Sequence, residues 1–174
     1  MVLESELFRK APDKFLMNMS MGGNIIQSTS FDGTAGKSSG MQGEQVLEGE
    51  DLENLKIQSR FLPELDYRGE GYNLRLLSNE KINGSSAYKL ELEDPSGATG
   101  IVYYDVESAF RIREEKTEVT PGGPVLQSTT YGDYKEVNGI MYPHKMIMSF
   151  GPETISGTLE SVKFNSGIED SVFK

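Results

Sequence analysis

Apolar and polar residues alternate with a period of two along most of this chain, and that period predicts strands. The longest clear run is Ile140 to Phe150. Ile140, Tyr142, His144, Met146, Met148 and Phe150 point one way; Met141, Pro143, Lys145, Ile147 and Ser149 point the other. The first side is almost wholly apolar, so it is expected to be buried or to line a cavity. Pro143 has no N–H for the ladder and belongs near a strand start or at an edge. Asn138-Gly139 precedes the run, and both residues tolerate the positive φ of a type I′ hairpin turn. Asn83-Gly84 before Ala87 to Leu92 repeats the device.

From the N-terminus, the pattern predicts strands over Val2 to Arg9, Lys14 to Met21 and Asn24 to Phe31. In the second, Phe15, Met17, Met19 and Met21 share a side. Gly22-Gly23 and Asp32-Gly33 are turns, and Thr34 to Gly43 reads as a short strand with a Gly/Ser-rich loop. Further strands are expected near Tyr72 to Ile82, Ser86 to Glu93, Gly100 to Asp105, Ala109 to Val119, Val125 to Tyr134, Ile140 to Phe150 and Thr154 to Asn165. The short links between them suit an antiparallel meander and exclude βαβ crossovers. About nine or ten strands in a sheet must curl, leaving a concave side to be covered or hollow.

One helix is predicted, Glu48 to Arg60. Glu48, Glu50 and Asp51 favour the positive end of its dipole, and Pro63 stops it. Leu52, Leu55, Phe61 and Leu62 are expected to dock it on the sheet, because a helix this short is marginal alone. The tail from Ile168 is expected to be anchored by Val172 and Phe173. The fold class is therefore mainly β: a curved antiparallel sheet or half-barrel with one substantial helix on its concave side.

Composition narrows the function. The 174 residues suit one domain, taken as 1–174, and hydrophobic residues at 36% place the apolar area on one side of a sheet. No stretch is apolar enough to span a membrane as a helix. The opening Met1-Val-Leu-Glu4 reads as already inside a strand, which suggests a piece of a longer chain. A net charge of −10 argues against nucleic acid, whose phosphates it would repel. With no cysteine there is no disulfide, thiolate metal site or cysteine nucleophile.

Catalytic and metal readings are weak. His144 is the only histidine, so two-histidine zinc motifs are impossible and a serine triad lacks any other base. Thr34 to Ser38 echoes the end of a phosphate loop, but Phe31 stands where its first glycine is needed. Glu50/Asp51 reads as helix capping, Glu91/Glu93 as a solvated face with Lys89, and Asp105/Glu107 as a hairpin; Glu114/Glu115 completes the paired carboxylates. No catalytic residue, metal or cofactor is expected.

Methionine is the remaining signal. Met17, Met19 and Met21 share one strand face, and Met146 and Met148 share another. Flexible thioethers suit surfaces that take varied apolar ligands, and they also fill gaps in ordinary cores. One short helix is little cover for so broad a sheet, which favours a cavity. The expected ligand-binding residues are Phe15, Met17, Met19, Met146, Met148 and Phe150.

Several motifs carry a resemblance: Arg9 to Gly23 with Ala11-Pro12-Asp13, Phe31 to Thr34, Gly49 to Glu53, Tyr103-Tyr104-Asp105, Asp133 to Pro143, and the closing Asn165 to Lys174. Together they resemble the lipoprotein-carrier-like (LolA/LolB-type) domains of Bacteroidetes, often found C-terminal to insulinase-type zinc peptidase modules. The resemblance implies a half-barrel whose apolar cavity holds a lipid or lipoprotein acyl chain, a place in the periplasm or cell envelope, and no catalysis. It also implies an alternative: an accessory or scaffold domain beside a peptidase module, with a packed, ligand-free sheet. Family members usually carry a further helix and strand ahead of this chain's first residue.

Overall fold

The computed structural model describes residues 2–41, 43–61, 64, 66–120 and 122–174. The fold is mainly β, with two open antiparallel sheets and one α-helix among the described residues. The chain forms two compact units, Met1–Leu65 with Asn165–Lys174, and Asp66–Phe164.

The first unit holds a five-stranded sheet in sequence order: β1 (Glu4–Lys10), β2 (Lys14–Met21), β3 (Asn24–Phe31), β4 (Gly36–Gly40) and β5 (Gly43–Leu47). Helix α1 (Gly49–Ser59) follows. Register places Arg9, Phe15, Phe31, Gly36 and Leu47 side by side on one face. Leu55 docks there, buried with Phe15 and Phe31, and Met17, Leu47 and Leu52 pack around them. Gly36 has a steric reason to be glycine. A Cβ there would lie 2.8 Å from Leu55 Cδ2 and 3.1 Å from Leu52 Cδ1. Glu50 and Asp51 occupy the first turn of α1 as expected, and Ser59 Oγ donates to the Leu55 carbonyl at 2.7 Å. Arg9 Nη1 donates to the Arg60 carbonyl at 3.3 Å and ties β1 to the helix end. Phe61, expected in the docking contact, is 37% exposed: the helix stops at Ser59, and the Phe61 N–H donates to the Pro12 carbonyl at 3.1 Å. Leu62 lies outside the described residues.

The opposite face of the same sheet receives the C-terminus. A single 3-10 turn, Asp170–Phe173, meets β2, where Phe173 is fully buried. The Asp170 carboxylate sits 2.7 Å from Lys10 Nζ and 2.6 Å from Lys14 Nζ. Hydrogen bonds from Lys10 and then Lys14 pull its pKa down to about 2.

The second unit is a seven-stranded meander: β6 (Asn73–Ile82), β7 (Ser85–Glu93), β8 (Thr99–Asp105), β9 (Arg111–Thr120), β10 (Gly123–Val137), β11 (Ile140–Phe150) and β12 (Glu153–Thr158). The Asn83-Gly84 and Asn138-Gly139 turns form as the sequence predicts, with positive φ at all four residues. Pro143 lies where β12 has not yet begun to pair, since that pairing starts at Lys145. The strands sort into two sheets instead of a single one, and there are twelve of them among the described residues. The strand β5 has no counterpart among the predicted strands, and β12 ends at Thr158, short of the expected Asn165.

Candidate functional site

Strand register divides the seven-stranded sheet into two unlike faces. One carries Arg75, Glu80, Lys89, Glu91, Tyr103, Arg113 and Glu115. It is laced by ion pairs: Arg75–Glu91 at 2.8 Å, Lys89–Glu80 at 3.0 Å and Arg113–Glu115 at 2.8 Å. The hydrogen bond from Lys89 holds the Glu80 carboxyl below its ordinary pKa. Tyr103 is buried beneath this layer and donates to Glu115 Oε2 at 3.2 Å; burial pushes its phenol pKa up.

The other face is apolar at its two flanks, with Glu114, Lys116 and Gln127 of the middle strands between them. Leu74 and Leu76 of β6 stand opposite Leu92 and Leu90 of β7, and Leu90 stands opposite Val102 of β8. Thr129 of β10 stands opposite Met148, Tyr131 opposite Met146, Gln127 opposite Phe150, and Met148 opposite Ile155 of β12. The centre is closed: Val102 and Thr129 are buried. The flanks are open. Leu76 is 59% exposed, Met148 38%, Phe150 41% and Ile155 58%. Natural surfaces rarely leave so many large apolar side chains together without a partner for them.

A charged group interrupts the middle of this face. Arg113 pairs with Tyr103 but Arg111 pairs with Tyr104, so Ile112 is an extra residue in β9. The bulge carries Arg111 onto the apolar face. Its guanidinium lies 4.7 Å from the Tyr131 ring centre and its Nη1 3.5 Å from Glu114 Oε2. Tyr131 donates its hydroxyl to Glu114 Oε1. Burial drives the Tyr131 phenol pKa well up, opposed by Arg111 and reinforced by Glu114. Tyr134 donates to the Arg111 carbonyl at 2.6 Å and stacks on Phe110 at 4.4 Å, fixing the backbone that presents the guanidinium.

The six residues singled out from the sequence fall three to each sheet. Met146, Met148 and Phe150 lie on the apolar face just described. Phe15, Met17 and Met19 lie on β2, on the face that receives α1. Phe15 is buried and Met17 packs against the Phe15–Phe31–Leu55 cluster, so both serve helix docking; Met19 is half-buried beyond it. The leucines of β6 and β7 belong to the apolar face and were not singled out. Their signal was present, since Leu90 and Leu92 alternate with the charged Lys89, Glu91 and Glu93.

The weaker motifs have structural roles. His144 is buried and its Nδ1 lies 2.9 Å from the Tyr142 carbonyl. Asp105 accepts from the Glu107 and Ser108 N–H groups and closes the β8–β9 hairpin; these bonds lower its pKa. The stretch Thr34 to Ser38 enters β4, and Asp32 Oδ1 caps the Thr34 and Ala35 N–H groups at 2.8 Å. Two small clefts, of about 170 Å³ beside Ile101 and Leu126 and about 90 Å³ beside Leu16 and Lys174, fall below the few hundred Å³ of typical small-molecule sites.

Two open antiparallel sheets with one docked helix, and a sheet face with open apolar flanks, make up the fold of the described residues. Solved structures share it. A domain from Vibrio parahaemolyticus named for outer-membrane lipoprotein sorting is 18% identical, with a TM-score of 0.65 over 98% of this chain and 79% of its own. A LolA-superfamily protein from Nitrosomonas europaea is 16% identical, with a TM-score of 0.61 over 98% of this chain and 80% of its own. A DUF1329-family protein from Desulfovibrio piger is 13% identical, with a TM-score of 0.65 over 99% of this chain and 80% of its own. No family model and no curated protein matches the sequence.

Proposed function

We propose that this domain holds an acyl chain, of a lipid or a lipoprotein, and does no chemistry on it. The observation that carries the reading is the open apolar flank of the seven-stranded sheet, on a fold shared with a domain named for outer-membrane lipoprotein sorting and with a LolA-superfamily protein. An aliphatic chain laid on that face would cover one of its flanks, Met146, Met148 and Phe150 or Leu76 and Leu90. Met side chains adapt to chains of different length and unsaturation, which suits a carrier. The reading assigns the protein to the cell envelope, where acyl chains must cross water between membranes.

Native mass spectrometry of the purified protein, followed by solvent extraction and lipid analysis, tests this. The expected result is a stoichiometric acyl lipid that leaves on extraction. A bare protein mass, with no uptake of a fluorescent acyl ester, would remove the carrier reading.

A further inference from the structure

A sheet face that served only a hydrocarbon chain would gain nothing from an arginine and a glutamate at its centre. Charges on an apolar face lose solvation, and a hydrophobic replacement of similar volume is often neutral or stabilising. Here the chain departs from regular alternation to bring one in, since only the bulge at Ile112 moves Arg111 to this side. Three aromatic side chains then hold the arrangement: Tyr131 beneath the guanidinium, and the stacked Tyr134–Phe110 pair gripping the Arg111 carbonyl. The Arg111 side chain remains 28% exposed and Glu114 37%, so both can be reached.

We propose that Arg111, Glu114 and Tyr131 form the polar mark at which the head of a bound acyl chain stops. The inference rests on the acyl-binding reading above and names the chemistry of the head. Arg111 can donate to a carbonyl oxygen. Glu114 already balances its charge, so the group carries no net positive charge with which to attract an anion, and its carboxylate repels one. The matching ligand is therefore an ester- or amide-linked acyl chain, and a free carboxylate is disfavoured. Flanking the mark, Met146 and Met148 on one side and Leu90 and Leu76 on the other give the chain its apolar bed.

The test is displacement of a bound fluorescent naphthylamine probe by three amphiphiles of equal chain length: methyl dodecanoate, dodecyl methyl ether and dodecanoate. The intact protein should prefer the ester over the ether about tenfold, the scale of a hydrogen bond to a charged donor. Arg111→Gln should bring that ratio close to one. Glu114→Gln keeps the side-chain volume and should raise dodecanoate affinity several-fold relative to the ester. Equal affinity for ester and ether in the intact protein, or an equal loss of both in Arg111→Gln, would assign the group a purely structural part and leave acyl binding standing. Failure of all three amphiphiles to displace the probe, or of the probe to bind, would overturn acyl binding itself and the polar mark with it.

Discussion

Met148 is the position at which binding and stability separate most cleanly. It lies on β11 between Thr129 and Ile155 and is 38% exposed. Fully burying a side chain of this kind is worth about 1.5–3 kcal/mol. A ligand can cover only the part still open, and 38% of that range is about 0.6–1.1 kcal/mol. Met148→Ala should therefore weaken acyl binding by about three- to sevenfold. Met148→Lys removes the same contact and adds a charge that must be lifted to the rim of the face or desolvated under the ligand, so its loss should exceed tenfold. Neither change opens a closed core, so stability should move by no more than about 0.5–1 kcal/mol. The assay is fluorescent acyl-ester titration of both variants beside thermal unfolding followed by circular dichroism. Two results would refute the reasoning. Unchanged acyl-ester affinity in a folded Met148→Lys protein would mean that no ligand rests on this flank. Loss of the β signal at room temperature would mean that Met148 is core.

Two further outcomes follow from the five-stranded sheet. Gly36→Val should destabilise that unit by about 1–3 kcal/mol, because its Cβ meets Leu55 and Leu52, which are already packed; urea unfolding with and without the substitution measures it, and an unchanged midpoint would contradict the close approach. The Asp170 link to Lys10 and Lys14 has a defined pH window. Its folded pKa, about 2, lies below the ordinary 3.8, so the contribution is complete above the ordinary value and is lost as pH falls through the folded one. Limited proteolysis at the C-terminus should therefore be slow and pH-independent above about pH 5 in the intact protein and faster in Asp170→Asn throughout that range; equal rates would show that Phe173 alone holds the tail.

Where alternation is strong the strands were legible to the residue. Lys14–Met21, Asn24–Phe31 and Ile140–Phe150 have the bounds that the pattern predicts. The strand β5 was not legible, because Gly43 to Val46 are exposed on both sides and carry no alternation to detect. Division into two sheets was hidden for another reason: alternation says which residues share a face, and pairing says which strands are neighbours. Phe15 and Met17 illustrate the same gap. Their face was correctly read as apolar, but nothing local says that Leu55 comes to cover it. Arg111 was the least legible residue of the candidate site. Counting by two places it with Arg113 on the charged face, and only the register shift at Ile112 reveals it among the apolar residues.

The two faces of the seven-stranded sheet explain why one flank can be altered without loss of the fold. The ion pairs of its charged face, such as Arg75–Glu91 and Lys89–Glu80, contribute little, since they are screened by solvent. Stability comes from the ladder and from the closed centre, where Val102, Thr129, Ala87 and Tyr103 are buried in β8, β10 and β7. The open residues sit on the outer strands β6, β11 and β12. A sheet built this way spends its buried area in the middle and exposes apolar surface at its margins, where a chain can enter and leave from solvent. Substitutions at Met148 or Leu76 should then change ligand retention, and substitutions at Val102 should change folding, with little crossover between the two readouts.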